Sequence, residues 1–168
     1  MKHLGFKIVI WSFILAIFFG YQDLVLAEAG LAIRPYPNNE SSWLVYKDVV
    51  RGSVLAGAFE VVNLSNYAIN VSIYPVDVNK TSEGGLVAGG ESKSGSALGA
   101  WIQTARSSLS LSAKESKIIK LSIRIPSNIT PKEYIGAVMV VAKQKNFSPG
   151  VNSIGVVVRT GLRVYVTV

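Results

Sequence analysis

The chain has 168 residues, 17 of them basic and 10 acidic, a formal net charge of +7, no cysteine and one histidine, His3. His3 falls in an N-terminal segment that reads as an export signal, so the rest of the chain carries neither imidazole nor thiol. That excludes hydrolysis through a histidine base, zinc sites built on His or Cys, haem and iron–sulfur clusters. The length supports one domain, which at about 150 residues buries roughly 68–70% of its unfolded-chain surface without needing disulfides.

Lys2, His3 and Lys7 precede the apolar run from Ile8 to Phe19, and small residues follow at Ala27 and Ala29. A basic start, a short apolar core and a small-x-small site make a secretory signal. Cleavage after Ala29 leaves residues 30–168 as the mature domain. Lys2 and Lys7 offset Asp23 and Glu28, so the mature part keeps the whole +7. An uncleaved anchor is the alternative, but spanning a bilayer takes about 20 apolar residues. Export without cysteine points to a bacterial envelope, at the cell surface, in the wall or in the periplasm. Six N-x-S/T sequons, at Asn39, Asn63, Asn70, Asn79, Asn128 and Asn146, read as incidental.

Along the mature chain the first clear strand carries Leu55, Phe59 and Val61 and stops at the turn signal Asn63 to Asn66. Tyr67, Ile69, Val71 and Ile73 then alternate with Ala68, Asn70, Ser72 and Tyr74, the period of two of a half-buried strand. Ser82 to Ala100, with six glycines and four serines, reads as a long mobile loop holding at most a short strand at Leu86 to Ala88. Ile119, Leu121, Ile123 and Ile125 oppose Lys120, Ser122 and Arg124. Ile135 to Ala142 is apolar on both faces, as a central strand can be. In the last segment Val156, Val158, Leu162, Val164, Val166 and Val168 share one face, against Arg159, Gly161, Arg163, Tyr165 and Thr167 on the other. Prolines 126, 131 and 149 stop strands at turns, and no stretch has convincing helical periodicity. The pattern predicts an all-β, immunoglobulin-like β-sandwich of about seven strands, without the inter-sheet cysteines.

Catalytic and cofactor signals fail on inspection. Asp77, Asn79, Thr81 and Glu83 place oxygens at alternate positions as a calcium loop does, but Ser82 stands where that loop needs glycine and Ala88 where it needs glutamate. Gly89-Gly90-Glu91-Ser92-Lys93 lacks the spacing and the strand-to-helix setting of a phosphate loop. Ser92 beside Lys93 is no preorganised dyad. The two mature aspartates, Asp48 and Asp77, form no glycosidase pair by sequence. The reading is therefore non-enzymatic, with no cofactor and no metal.

The positive charge has two readings. Lys120 and Arg124 on one strand, with Arg159, Arg163 and Tyr165 on the last, are either a solvated sheet face or a shallow basic platform for an anionic envelope polymer. Nucleic acid is disfavoured in an exported chain without a recognition motif.

A set of short segments, in order, resembles a known family. They are Ile33-Arg34-Pro35, Ser42-Trp43 to Tyr46, Phe59 to Ser65 and Val71 to Asp77, then Gly99-Ala100-Trp101-Ile102, Ser112 to Glu115, Ile123 to Pro126 and Tyr134 to Val138. Together they resemble the peptidoglycan-binding domain of WxL proteins, a bacterial surface family related to the WxL-interacting proteins. The resemblance covers about residues 31–168, with Val78, Lys132 and Ala137 departing from the family's pattern. It implies binding to peptidoglycan, or to WxL-type surface proteins, without assigning the residues that bind. Trp43, Tyr74, Trp101 and Tyr134 read as core and corner aromatics rather than ligand platforms.

Three functions are therefore weighed. The first is an exported surface module binding cell wall or a surface partner. The second is a periplasmic pilus-chaperone-like protein that binds by strand addition. The third is a structural subunit assembling by edge pairing through Val156 to Val168.

Overall fold

A computed structural model describes residues 30–37, 42–89, 96–143 and 157–168. The proposed signal, with Ala27 and Ala29, lies outside the described residues, as do Asn39 and Asn146. Among the described residues, ten strands and one short helix follow one another: β1 Leu31–Tyr36, β2 Leu44–Tyr46, β3 Val54–Asn63, β4 Ile69–Lys80, β5 Leu86–Ala88, α1 Leu98–Trp101, β6 Ile102–Thr104, β7 Ser108–Leu111, β8 Ser116–Arg124, β9 Glu133–Lys143 and β10 Val158–Thr167. Sheet I has the order β1-β3-β8-β6, and sheet II the order β2-β10-β9-β4-β5 with β7 also on β4. All neighbours run antiparallel except β2 and β10. The strand count exceeds the expected seven because β2, β5, β6 and β7 are short segments of three or four residues, below the length at which alternation shows.

The alternation seen in the sequence sets the inner faces. Phe59 and Val61 of β3 and Ile119, Leu121 and Ile123 of β8 meet Val71 and Ile73 of β4, Val138 and Val140 of β9 and Leu162, Val164 and Val166 of β10. Apolar side chains opposed across about 10 Å form one core between the sheets. Strand β9 is indeed central and apolar on both sides, since Ala137 and Met139 join Val76 in a second buried cluster on the other face of sheet II. Gly161 leaves room for the Met139 side chain as it is placed: a Cβ there would stand 2.6 Å from Met139 Sδ, and the methionine would have to shift.

The short strand expected at Leu86–Ala88 is β5, paired onto β4. Where the expected loop was to continue to Ala100, the chain instead enters α1, whose Leu98 is fully buried in the main core. Asp77 explains the helix, which periodicity could not reveal. Its carboxylate accepts from the backbone N–H of Ser96 at 2.6 Å, Ala97 at 3.1 Å and Gly99 at 2.7 Å. An acidic acceptor for otherwise unpartnered N–H groups stabilises a helix start. Gly99 is required there, because a Cβ would lie 2.5 Å from the backbone of Val76. Asp77 is thus a structural anchor rather than a calcium ligand, and it joins the Tyr74-to-Asp77 segment to Gly99-Ala100-Trp101-Ile102.

Two other turns are fixed by side chains. Asn63 is fully buried, donating to the carbonyls of Tyr67 and Ser112 at 2.7 Å each, while its Oδ1 accepts from the N–H and hydroxyl of Ser65. A sequon asparagine so enclosed cannot carry a glycan in the folded protein. At the β8–β9 corner Tyr134 donates its hydroxyl to the Thr130 carbonyl at 2.8 Å and packs on Trp101 with ring centroids 4.7 Å apart. This is the tyrosine-corner arrangement of immunoglobulin-like sandwiches.

Candidate functional site: the two faces and the outer edge of the last strand

The five residues singled out as a basic platform do not share a surface. Lys120 and Arg124 are exposed on the outer face of sheet I, where Arg124 Nε donates to Gln103 Oε1 at 3.3 Å. Arg159, Arg163 and Tyr165 stand on the outer face of sheet II, on the opposite side of the sandwich. Strand alternation identified their polar sides correctly but not the sheets to which β8 and β10 belong. Lys120 borders a shallow groove between β6 and β8, and a second groove between β4 and β7 is lined by Asn70, Ser72, Ser108 and Ser110 with Val71 and Leu109.

The two arginines of β10 also differ from each other. Four residues of extended chain separate them by about 13 Å, so they bracket Gly161 rather than forming a pair. Arg159 reaches across β9: its Nη2 donates to the Gly89 carbonyl at 3.0 Å and its guanidinium lies 5.6 Å from the Tyr74 ring centroid on β4. It clasps the segment after β5 to the sheet. Arg163 points the other way, over the ring of Trp43 at 5.8 Å. Trp43 meets Tyr165 edge-on at 6.2 Å. Trp43 is 43% exposed rather than a core aromatic. It immediately precedes β2, a strand of three residues on the outside of β10, and so lies at the margin of the sheet.

The sequence offered Val156 to Val168 as a strand for edge pairing, and the structure adds which part of the outer edge of β10 has a neighbour. Strand β9 pairs with β10 along its full length, from Val158 opposite Ala142 to Thr167 opposite Glu133. On the other side, β2 covers only Val164 to Val166, and the Thr167 carbonyl accepts from Val49 N–H at 2.9 Å. Among the described residues, Val158 to Leu162 have no ladder partner on that side. Strand β1 lies near β10 at this margin of the sandwich but is hydrogen-bonded to β3. The inner-face residues of the uncovered stretch are Val158, Thr160 and Leu162, and its outer-face residues are Arg159 and Gly161.

The ionisable groups with displaced pKa values stand away from this edge. The Glu60 carboxyl is lowered by its hydrogen bonds to Arg34, 2.6 Å across the β1–β3 pair, and to Ser116. Glu115 is lowered by the Ser112 backbone N–H, at 2.6 Å, and by Lys117. Burial raises Tyr46, whose hydroxyl crosses to the Ala56 carbonyl of sheet I in space left by Gly57. These are structural contacts. Among the described residues no three acidic, His or Cys side chains gather as a metal site, and no helix is long and apolar enough to cross a membrane.

No protein-family model and no curated protein matches the chain. Solved structures do. A chain of the Salmonella enterica SafA pilin–SafB chaperone complex aligns over 82% of this chain and 54% of its own length, with TM-score 0.53 and 13% identity. The Escherichia coli chaperone DraB aligns over the same shares at TM-score 0.46 and 13% identity. The CsuC–CsuE chaperone–tip adhesion subunit complex of Acinetobacter baumannii aligns over 83% of this chain and 57% of that one at TM-score 0.47 and 15% identity. This chain spans little more than half the length of those solved chains. At 13% identity the likeness to the Salmonella enterica chain is one of architecture, and with the two-sheet topology it makes the fold an immunoglobulin-like β-sandwich.

Proposed function

We propose that the chain is an exported, non-enzymatic binding module that takes an extended segment of a protein partner by strand addition along the outer edge of β10. The observation that carries this reading is the stretch Val158 to Leu162, which has no ladder partner on its outer side among the described residues and ends where β2 begins. An unpaired strand edge offers a row of backbone donors and acceptors that another chain can complete. Main-chain pairing supplies the affinity, and alternate side chains supply the selectivity. The Salmonella structure is of a pilin with its chaperone, which favours a protein partner over a polysaccharide.

The wall-polymer reading, with peptidoglycan or WxL-type surface proteins as partners, has less support. A polymer platform needs cations gathered on one surface, whereas Lys120 and Arg124 face away from Arg163, and Arg159 is engaged with Gly89 and Tyr74. Edge pairing with a second copy would use the same backbone groups and is an outcome of the test.

The experiment titrates the mature protein with twelve-residue peptides of alternating valine and a neutral polar residue. Each is prepared with N-methyl groups on one or the other set of alternate amides. Strand addition predicts that one methylated set abolishes binding and the other leaves it nearly intact. Equal tolerance of both sets, or retention on purified sacculi with no peptide binding, overturns the proposal. Light scattering that shows a stable dimer blocking the peptide would replace the partner by a second copy and also overturn it.

A further inference from the structure

Resting on strand addition at β10, we infer that the edge selects its partner by charge, with Arg163 as the specificity residue for an acidic side chain facing Gly161. A strand laid along Val158 to Leu162 points alternate side chains inward, beside Val158, Thr160 and Leu162, and outward, beside Arg159 and Gly161. The inward positions border the core and its β1 neighbours Leu31 and Ile33, and so take apolar residues. The outward position facing Gly161 has no side chain opposite it. The nearest long side chains are Arg159 and Arg163, each two residues along, at the diagonal distance of about 7–8 Å that long side chains span.

Orientation distinguishes the two. The Arg159 guanidinium is directed away from the edge, to Gly89 and Tyr74. The Arg163 guanidinium is directed toward the edge, where it lies over the Trp43 ring at 5.8 Å from its centroid. A guanidinium resting on an aromatic ring keeps its in-plane N–H donors available, and those donors match a carboxylate. The ion pairs formed among the described residues are Arg34–Glu60, Lys80–Glu133 and Lys117–Glu115, none of which involves Arg163. The partner segment is therefore about five residues long, apolar at alternate positions and acidic at the outward ones.

Three peptides of alternating sequence, with glutamate, glutamine or lysine at every outward position, are titrated into the protein while binding is followed by calorimetry. For an exposed charge pair the glutamate peptide should bind about 3–5-fold tighter than the glutamine peptide, and the lysine peptide weaker than both. The preference should fade as salt is raised toward 1 M, where screening acts over about 3 Å. Arg163→Gln should bring the glutamate-to-glutamine ratio to about one. Arg124→Gln, which removes the same charge from sheet I, should leave the ratio unchanged. Equal affinities of the parent for the glutamate and glutamine peptides, or a ratio that survives Arg163→Gln, overturns the charge selection while leaving strand addition standing. Failure of all three peptides to bind overturns strand addition itself.

Discussion

The two long margins of sheet II are treated in opposite ways. Along β4 the outer backbone is covered almost end to end: β7 pairs with Ile69 to Ser72, Ile73 N–H reaches the Ser107 carbonyl at 2.7 Å, Gly89 N–H reaches the Asp77 carbonyl at 3.0 Å, and β5 pairs with Val78 to Lys80. Along β10, among the described residues, only the C-terminal part is covered, by β2 and by Val49. A fold that spends short strands, a helix and an aspartate on closing one margin has the means to close the other. Uncovered strand edges invite unwanted pairing, and natural sheets commonly block them. The proposed strand addition at Val158 to Leu162 rests on this contrast.

Truncation after Thr160 removes the covered part of the β10 margin together with Leu162, Val164 and Val166, all buried in the core. Fully burying such side chains contributes about 1.5–3 kcal/mol each. Their sum rivals the 5–15 kcal/mol or so that holds a whole domain. The truncated protein should be unfolded by circular dichroism, and a cooperative melt near that of the parent would show β10 to be dispensable. Asp77→Ala opens the other margin by stripping the acceptor from the N–H groups of Ser96, Ala97 and Gly99. It should lower stability by about 2–3 kcal/mol in urea denaturation, because partly buried donors are left unpaired. A loss below about 0.5 kcal/mol would mean that α1 holds without its anchor.

Arg159→Gln releases the clasp between β10 and the segment after β5. Exposed cation–ring and single hydrogen-bond contacts of this kind contribute about 1 kcal/mol or less. The melting temperature should therefore fall by only a few degrees, with faster amide exchange in β5 and none of the global loss seen for Asp77→Ala. A large drop would make Arg159 part of the core structure.

The smallest effect is that of pH. Glu60 and Glu115 titrate below the ordinary glutamate range, because Arg34 with Ser116 and Ser112 with Lys117 favour their charged forms. A carboxyl with a depressed folded pKa adds stability that is present above its unfolded value of about 4.3 and is lost as pH falls through its folded value. Exposure and screening keep this contribution small. The double variant Glu60→Gln, Glu115→Gln should lose less stability than the parent on acidification below about pH 4.5. An identical slope in the two proteins would show the pairs to be inert.

How much of this was legible in the sequence depends on the range of the interaction. The inner faces of β4, β8 and β10 followed from alternation alone, and Leu86 to Ala88 was recognised as a short strand, because these are local signals. The anchoring of α1 by Asp77 was not visible, since it joins residues about 20 positions apart through backbone N–H groups. Trp43 was read as buried because aromatics usually are. Its exposure follows from β2 being an edge strand of only three residues. The basic residues looked like one platform because a sequence does not say which sheet a strand joins. An edge on the last strand was among the readings of the sequence. How much of it is covered was not legible, because that depends on where β2, more than a hundred residues earlier in the chain, comes to rest.

Residue-resolved amide exchange across β10, with and without the alternating valine–glutamate peptide, tests strand addition most directly. The account predicts that the amides of Val158 to Leu162 not bonded to β9 gain protection on binding, while those of Val164 to Val166, already beside β2, do not change. Protection gained on β1 or β8 instead, or no change in β10 while the peptide binds, would contradict it.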